Sequence, residues 1–444
     1  MLPIEHTDDD LFPGTRAASY RGQGRLVVGD GDRLLEQSCE FVCVQMASGS
    51  VRCHCEWEAG PLHPLELWIS EKPAELFGFC NDGRPIKAGT LRTITTPPCA
   101  RASDRNVATF GVRQLEVGSE TLDRGWSVLR FQLVNLVLGR QRGGGPEGVE
   151  PSPGYGWFHR GLRVTLERAI SYEHAIEQLD EGCRAQITAT AIVCGAAEEA
   201  PLQTATLAMQ DLCLTMSLAM GTLVQWVAYD ALDANGRVLR SFHYSAATKP
   251  LTRLQLIAEE DLRQYVADTL PSVAALDPRW RFREAVFSLI DAKVDGDFLE
   301  ARGLKVAVIL DFLCSRFREM IDQETLLPSQ EFKSWTKEVR PKIKKRHTFL
   351  RSLREFVRCL GLPDQNLEPA RDIRNKLVHD LRFPSQDSEQ ADSRAMFQEY
   401  CLLLNLAERI LLALLGYTGF YVDWRKFGHW HYEMRTQMEY RSAP

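Results

Sequence analysis

The sequence predicts a multidomain fold: an α+β, mainly antiparallel β-rich N-terminal domain over residues 1–250, then an all-α helical bundle over 251–444. Three observations carry this. With 444 residues the chain exceeds what one hydrophobic core ordinarily organises. Its first half breaks into short segments rich in β-branched and aromatic residues, separated by Gly, Pro, Asn and Asp. After Pro250 the apolar residues recur at helical spacing with few breakers.

In chain order, residues 25–28, 39–46, 51–57, 65–69 and 90–95 read as strands, and 107–117 and 126–138 continue the pattern. Segment 141–157 holds Gly-Gly-Gly-Pro and Pro-Ser-Pro-Gly and reads as a loop. A strand (162–166), a helix (172–180) and a strand (185–193) follow. A buried helix is expected at 202–223. Strands 224–229 and 237–244 then flank Asp233-Ala-Asn-Gly236, which suits a hairpin turn. Beyond residue 250, helices are expected at 280–293, 298–321, 329–360, 369–381 and 392–415, with Pro341 kinking or splitting the third. Such helices make an all-α bundle.

Composition narrows the function classes. Hydrophobic content of 44% and charged content of 25% are ordinary for a globular chain. A net charge of −6 argues against a protein that coats nucleic acid over its whole surface, and leaves room for a local basic patch. The first ten residues are acidic and lack the basic-then-apolar order of a secretory signal. Runs 205–229 and 400–417 are apolar but interrupted, the first by Asp211 and the second by Glu408 and Arg409. A charge at the centre of a lone membrane helix costs a few kcal/mol, so both are expected as buried helices and no membrane partner is expected.

Twelve cysteines without a secretion signal read as a reduced, cytoplasmic chain. Their one cluster is Cys39, Cys43, Cys53 and Cys55, with His54. Strand alternation puts Cys53 and Cys55 on one face and His54 on the other. Packing as small apolar residues is favoured over a zinc site, which more often uses paired Cys-x-x-Cys knuckles. No metal and no cofactor is therefore expected. Walker-type phosphate loops, His-Glu-x-x-His helices and Gly-x-Ser-x-Gly elbows are absent from the sequence.

The segment Glu368-Pro-Ala-Arg-Asp-Ile-Arg-Asn-Lys-Leu-Val-His-Asp-Leu-Arg382 carries the chemistry. Pro369 suits the first turn of a helix. At 100° per residue, Ala370, Ile373, Leu377 and Leu381 fall within about 60° of arc, the expected core stripe. Arg374, Val378, Arg371, Arg382, Asn375 and His379 fill the opposite arc, and Arg374 and His379 stand about 140° apart at its edges. These residue types suit RNA cleavage without a metal. A histidine can take the proton of a ribose 2′-OH or give one to the leaving 5′-oxygen. Arg374 can stabilise charge on the phosphorane through forked hydrogen bonds. Asn375 can orient the histidine or a phosphate oxygen, and Arg371 is a supporting candidate. The competing reading of the same residues is a surface helix with scattered charge.

Arg374-Asn-Lys-Leu-Val-His379 resembles the Arg-x(4–6)-His signature of the HEPN family, with its polar residue after the arginine. The apolar run ending in Gly416-Tyr-Thr-Gly-Phe-Tyr421 resembles the closing helix and turn of ApeA-type HEPN proteins, and residues 224–240 resemble the end of their N-terminal domain. The resemblance implies a HEPN ribonuclease domain behind a β-rich sensor or regulatory domain, acting in bacterial anti-phage defence by abortive infection. It further implies a homodimer or higher homo-oligomer through the HEPN domain, so that two histidines share proton transfer. A phage-derived trigger is expected at the N-terminal domain. An acidic residue on an earlier helix should face the motif, with Glu300 and Asp311 as candidates.

Between Lys333 and Arg354 nine Lys or Arg stand against one acid, Glu338. Lys342, Lys344, Lys345 and Arg346 are candidates to hold an RNA backbone, and a solvated helix face is the alternative. The tail carries Trp424, His429, Trp430, His431, Tyr432 and Tyr440, which can stack on bases, although docking on the bundle is favoured. The leading expectation is a metal-independent endoribonuclease. The alternatives are a non-enzymatic RNA- or protein-binding HEPN module, and a signalling protein with a small-ligand pocket in its first domain.

Overall fold

Alternating burial along the first half assembles one large antiparallel sheet, and a helical region follows it. The computed structural model describes residues 14–30, 33–58, 60, 62, 74–95, 105–118, 125–138, 155–195, 201–245, 254–323, 325–326, 329–339, 345–387, 392–425 and 432–433. For residues 30, 33, 95, 339, 345–348, 432 and 433 it describes the backbone alone. By contact the chain divides into two units, Met1–Gln210 with Val224–Thr248, and Asp211–Leu223 with Lys249–Pro444.

The first unit contains β1 (Arg16–Asp30), β2 (Arg33–Met46), β3 (Val51–Glu58), β4 (Ala74–Cys80), β5 (Pro85–Thr95) and β6 (Arg105–Gly118). These pair in the order β3-β2-β1-β4-β5-β6, and β3 also pairs with β6, so six strands close into a barrel. Every second residue fills its interior, among them Leu26, Phe41, Trp57, Leu76, Phe110 and Leu115. The cysteine cluster belongs to this interior. Cys43 and Cys53 face each other across β2 and β3 with sulfurs 3.2 Å apart, and burial pushes the Cys43 thiol up. His54 points the other way, its Nδ1 3.1 Å from the Thr109 hydroxyl. Among the described residues no group of His, Cys, Asp and Glu is arranged to hold a metal.

Strand β6 gives one edge to β5. Its other edge serves β3 over residues 105–112 and β12 (Val238–Tyr244) over 114–118. From β12 the sheet continues through β11 (Gln225–Leu232), β7 (Val128–Val134), β10 (Ile187–Gly195), β9 (Leu162–Arg168) and β8 (Tyr155–His159). Helix α1 (Tyr172–Asp180) packs on β10. At the expected hairpin turn, Asp233 Oδ1 accepts from the amides of Asn235 and Arg237. A buried polar chain crosses this unit. Tyr20 donates to His243 Nε2 (2.7 Å), His243 Nδ1 to Gln45 Oε1 (2.5 Å), and Gln45 Nε2 to the Val227 carbonyl (3.2 Å). Burial pushes His243 down to about 4.

Helix α2 (Leu202–Met220) is followed by α3 (Leu262–Trp280), α4 (Phe282–Ala292), α5 (Leu299–Asp322), α6 (Gln330–Val339), α7 (Lys345–Cys359), α8 (Leu367–Asp380) and α9 (Ser393–Leu414). In the second unit α5 packs against α4, α7, α8 and α9. A buried ion pair joins the end of α4 to α9: Lys293 Nζ stands 2.5 Å from Glu408 Oε1, with 1% and 0% of the side chains exposed. Lys293 also donates to the Leu254 carbonyl at 2.9 Å. Burial pushes the Glu408 carboxyl up while Lys293 opposes it. Gly221, at φ 65°, lines the same place, where a Cβ would lie 2.3 Å from the Leu254 oxygen.

Several elements differ from the sequence-based expectation. Helix α3 was not among the expected helices; it holds Pro271 and Pro278 in its interior, and Tyr265, Val266, Leu270, Val273 and Leu276 bury one face of it. The helix expected over 329–360, with Pro341 kinking or splitting it, is described as two, α6 and α7, in keeping with the expectation, and Pro341 itself lies outside the described residues. Strand β4 was missed, and Tyr155–Trp157, read as loop, belong to β8. The strand expected at 65–69 and residues 141–154 lie outside the described residues. No helix among the described residues is long and apolar enough to cross a membrane.

Candidate functional site

Helix α8 carries Pro369 in its first turn and ends at Asp380, where Leu381 turns left-handed with φ 53°. Ala370, Ile373 and Leu377 are buried, as the spacing requires. Leu381 was expected in the same stripe but is 59% exposed, because the helix has already ended. Phe383, fully buried, packs against α5 instead. Gly303 on α5 makes the room: a Cβ there would lie 2.7 Å from Phe383 Cζ and 3.0 Å from Leu377 Cδ1.

Nearly two turns before the end of α8, Arg374 is turned inward. Its Nε and Nη2 donate to Asp311 Oδ2 on α5 at 3.1 and 2.5 Å, and its Nη1 donates to Asn375 Oδ1 at 3.0 Å. Its guanidinium carbon lies 5.0 Å from the centre of the Phe349 ring on α7, a cation–π distance. Only 16% of the Arg374 side chain is exposed. A guanidinium has five N–H groups. Three are used by Asp311 and Asn375, which leaves one on each terminal nitrogen to meet a phosphate oxygen.

Of the two acidic candidates, Asp311 is brought to the motif and Glu300 is not. Glu300 accepts from Gln386 Nε2 at 2.7 Å. Asn375 is 8% exposed and holds Arg374, rather than reaching His379. His379 is exposed in the last turn, and among the described residues no hydrogen bond or ion pair reaches it. The five-residue spacing sets it about 140° around and 7.5 Å along the axis from Arg374. Within one molecule the two side chains are therefore not brought together. Arg371 pairs with its neighbour Asp372 at 2.7 Å.

The basic run is partly tied to acids. Arg351 pairs with Glu331 at 2.5 Å and lies over Trp335, and Arg354 pairs with Glu368 at 3.2 Å. Lys342 and Lys344 lie outside the described residues, as do the side chains of Lys345 and Arg346 at the start of α7. In the tail, Trp424 donates to the Gln255 carbonyl at 3.1 Å. His429, Trp430, His431 and Tyr440 lie outside the described residues, and Tyr432 is described by its backbone alone.

Sequence reasoning missed Phe349 and the Gly303–Phe383 contact. An isolated glycine inside a helical pattern signals a close approach, and Gly303 is such a residue. Phe349 had no comparable signal within a run of cations. Comparison with protein-family models, curated proteins and solved structures returned no match.

Proposed function

We propose that this chain is a metal-independent endoribonuclease of the HEPN type, acting as a homodimer or higher homo-oligomer in bacterial anti-phage defence. The observation that supports the reading best is the support given to Arg374: a carboxylate on α5, an amide on α8 and a ring on α7 fix its guanidinium. Two N–H groups remain for substrate, and His379 stands exposed beyond it on the same helix. Pre-positioned donors act on developing charge without reorganising during the reaction. In this reading Arg374 stabilises the phosphorane, and His379 moves protons at the 2′-oxygen of the attacking ribose or at the leaving 5′-oxygen. Asp311 and Asn375 are positioning residues. Separation of the two side chains along α8 favours a shared cleft, in which a second molecule supplies a second histidine. The products carry a 2′,3′-cyclic phosphate and a 5′-hydroxyl. Under this proposal the β-rich domain senses a phage-derived trigger, a role that rests on the ApeA resemblance.

The engagement of Arg374 by Asp311 also favours a second reading, a structural ion pair in a non-enzymatic RNA- or protein-binding module. One experiment separates them. Wild type, Arg374→Ala and His379→Ala, matched for folding by circular dichroism, are incubated with total cellular RNA in EDTA, with and without lysate of phage-infected cells. Cleavage by wild type alone, with cyclic-phosphate ends, supports the nuclease. Cleavage abolished by EDTA refutes it, and RNA binding by all three without cleavage favours the module.

A further inference from the structure

At the opposite end of α8 from His379 lies a cavity of about 450 Å³ lined by Gln365, Asn366, Gln398, Leu402, Arg409 and Arg425. Its volume is in the range of small-molecule sites. Its lining is not: a single residue, Leu402, is aliphatic, and the described lining holds two cations, three amides and no carboxylate. Such a wall cannot be filled by an apolar group without stranding the amides and guanidinia.

The two arginines are differently placed. Arg425 is gripped by Asp423, which is 2% exposed, through Nε at 2.8 Å and through Nη2. That pair is neutral as a unit and holds the guanidinium in place. Arg409, projecting from α9, supplies the uncompensated charge, and its Nε is buried without a hydrogen-bond partner among the described residues. Asn366 has a left-handed backbone (φ 68°), and its side chain makes no capping bond to α8 although it occupies the capping position. Its amide lines the cavity instead. Two guanidinia with amide neighbours form an acceptor-seeking wall, complementary to a tetrahedral dianion carried on a hydrogen-bonding body.

We propose that this cavity binds a phosphate monoester of a small polar molecule, with the phosphate on Arg409 and Arg425. Gln365, Asn366 and Gln398 take the hydroxyl or base edges of the remainder. The site is separate from Arg374 and His379, and the proposal stands or falls without the nuclease reading.

Binding is measured by calorimetry on full-length His379→Ala, so that no RNA turnover contributes, with AMP, inorganic phosphate and adenosine as probes. AMP should bind and adenosine should not. Arg409→Gln should weaken AMP on the order of 10- to 100-fold, the loss of one charge-assisted contact. Leu402→Glu, which sets a carboxylate beside the phosphate at a half-exposed position, should do the same, and it serves if Arg409→Gln fails to fold. Inorganic phosphate binding as tightly as AMP supports the site and identifies free phosphate as its occupant. No binding by AMP or phosphate, or binding unchanged in both variants, overturns the proposal.

Discussion

Removing Asp311 tests whether α5 holds Arg374 or merely lies beside it. Asp311 receives two donors from Arg374, with 16% of the arginine and 34% of the aspartate side chain exposed. A fully exposed pair contributes about 0–1 kcal/mol, and breaking a buried pair costs about 3–5 kcal/mol. Here one partner is largely buried and the other is reached by solvent, so screening brings the coupling to about 1 kcal/mol. The perturbation is a double-mutant cycle of Asp311→Asn and Arg374→Gln. The assay is amide hydrogen exchange of the α8 backbone in the full chain, which reads local opening free energy. A coupling of about 1 kcal/mol corresponds to roughly fivefold in exchange rate. Each single variant should speed exchange on α8, and the double variant should add little to either. Effects that simply add, with coupling under about 0.3 kcal/mol, would refute the assignment of Asp311 as the residue that positions Arg374.

Four further outcomes are expected. Gly303→Ala should lower the melting temperature despite the better helix former, since overpacking against Leu377 and Phe383 costs about 1–3 kcal/mol. A companion Phe383→Leu should recover part of it in the same melt. Phe383→Ala should cost about 3–5 kcal/mol in urea unfolding, while Leu381→Ala, at an exposed position past the helix end, should fall within about 0.5 kcal/mol of wild type. Lys293→Met or Glu408→Leu alone should destabilise by about 3–5 kcal/mol, and the double variant should recover most of the loss, as measured by thermal unfolding. His243 has a folded-state pKa of about 4 against an ordinary value of 6.5, so the unfolded chain binds its proton first as pH falls. Stability from this group is complete above pH 6.5 and declines by about 3 kcal/mol toward pH 4. His243→Gln should flatten that acid limb in a series of urea melts.

Helix α8 was legible in the sequence because Pro369 marks its start and Ala370, Ile373 and Leu377 repeat at helical spacing. Its last residue was not, since Leu381 fits the periodicity as well as its neighbours do and only its backbone sends it outward. The choice between Glu300 and Asp311 was equally out of reach. Both lie on α5, and the contacts of Gly303 with Leu377 and of Asp311 with Arg374 fix which turn meets the motif. Local strand patterns revealed β3, most of β6, parts of β2 and β5 and only residues 25–28 of β1, and missed β4, whereas barrel closure depends on β3 meeting β6 across some fifty intervening residues, a pairing no local pattern encodes. Helix α3 was not read from the sequence at all: Pro271 and Pro278 interrupt its segment, and its buried face holds it helical.

The shared edge of β6 bears on how the chain is made. All six barrel strands lie within residues 16–118, so the barrel's pairings are available to a nascent chain long before residue 238 leaves the ribosome. At 5–20 residues per second that interval is on the order of 10 s. Throughout it, residues 114–118 of β6 present, on the side away from β5, an open hydrogen-bonding edge that among the described strands β12 later covers. Such an edge is a template for any passing strand. Residues 114–118 are thus a five-residue stretch of the barrel left open to mispairing during synthesis, and slowing translation between residues 118 and 238 should raise the yield of aggregates without changing the folded protein.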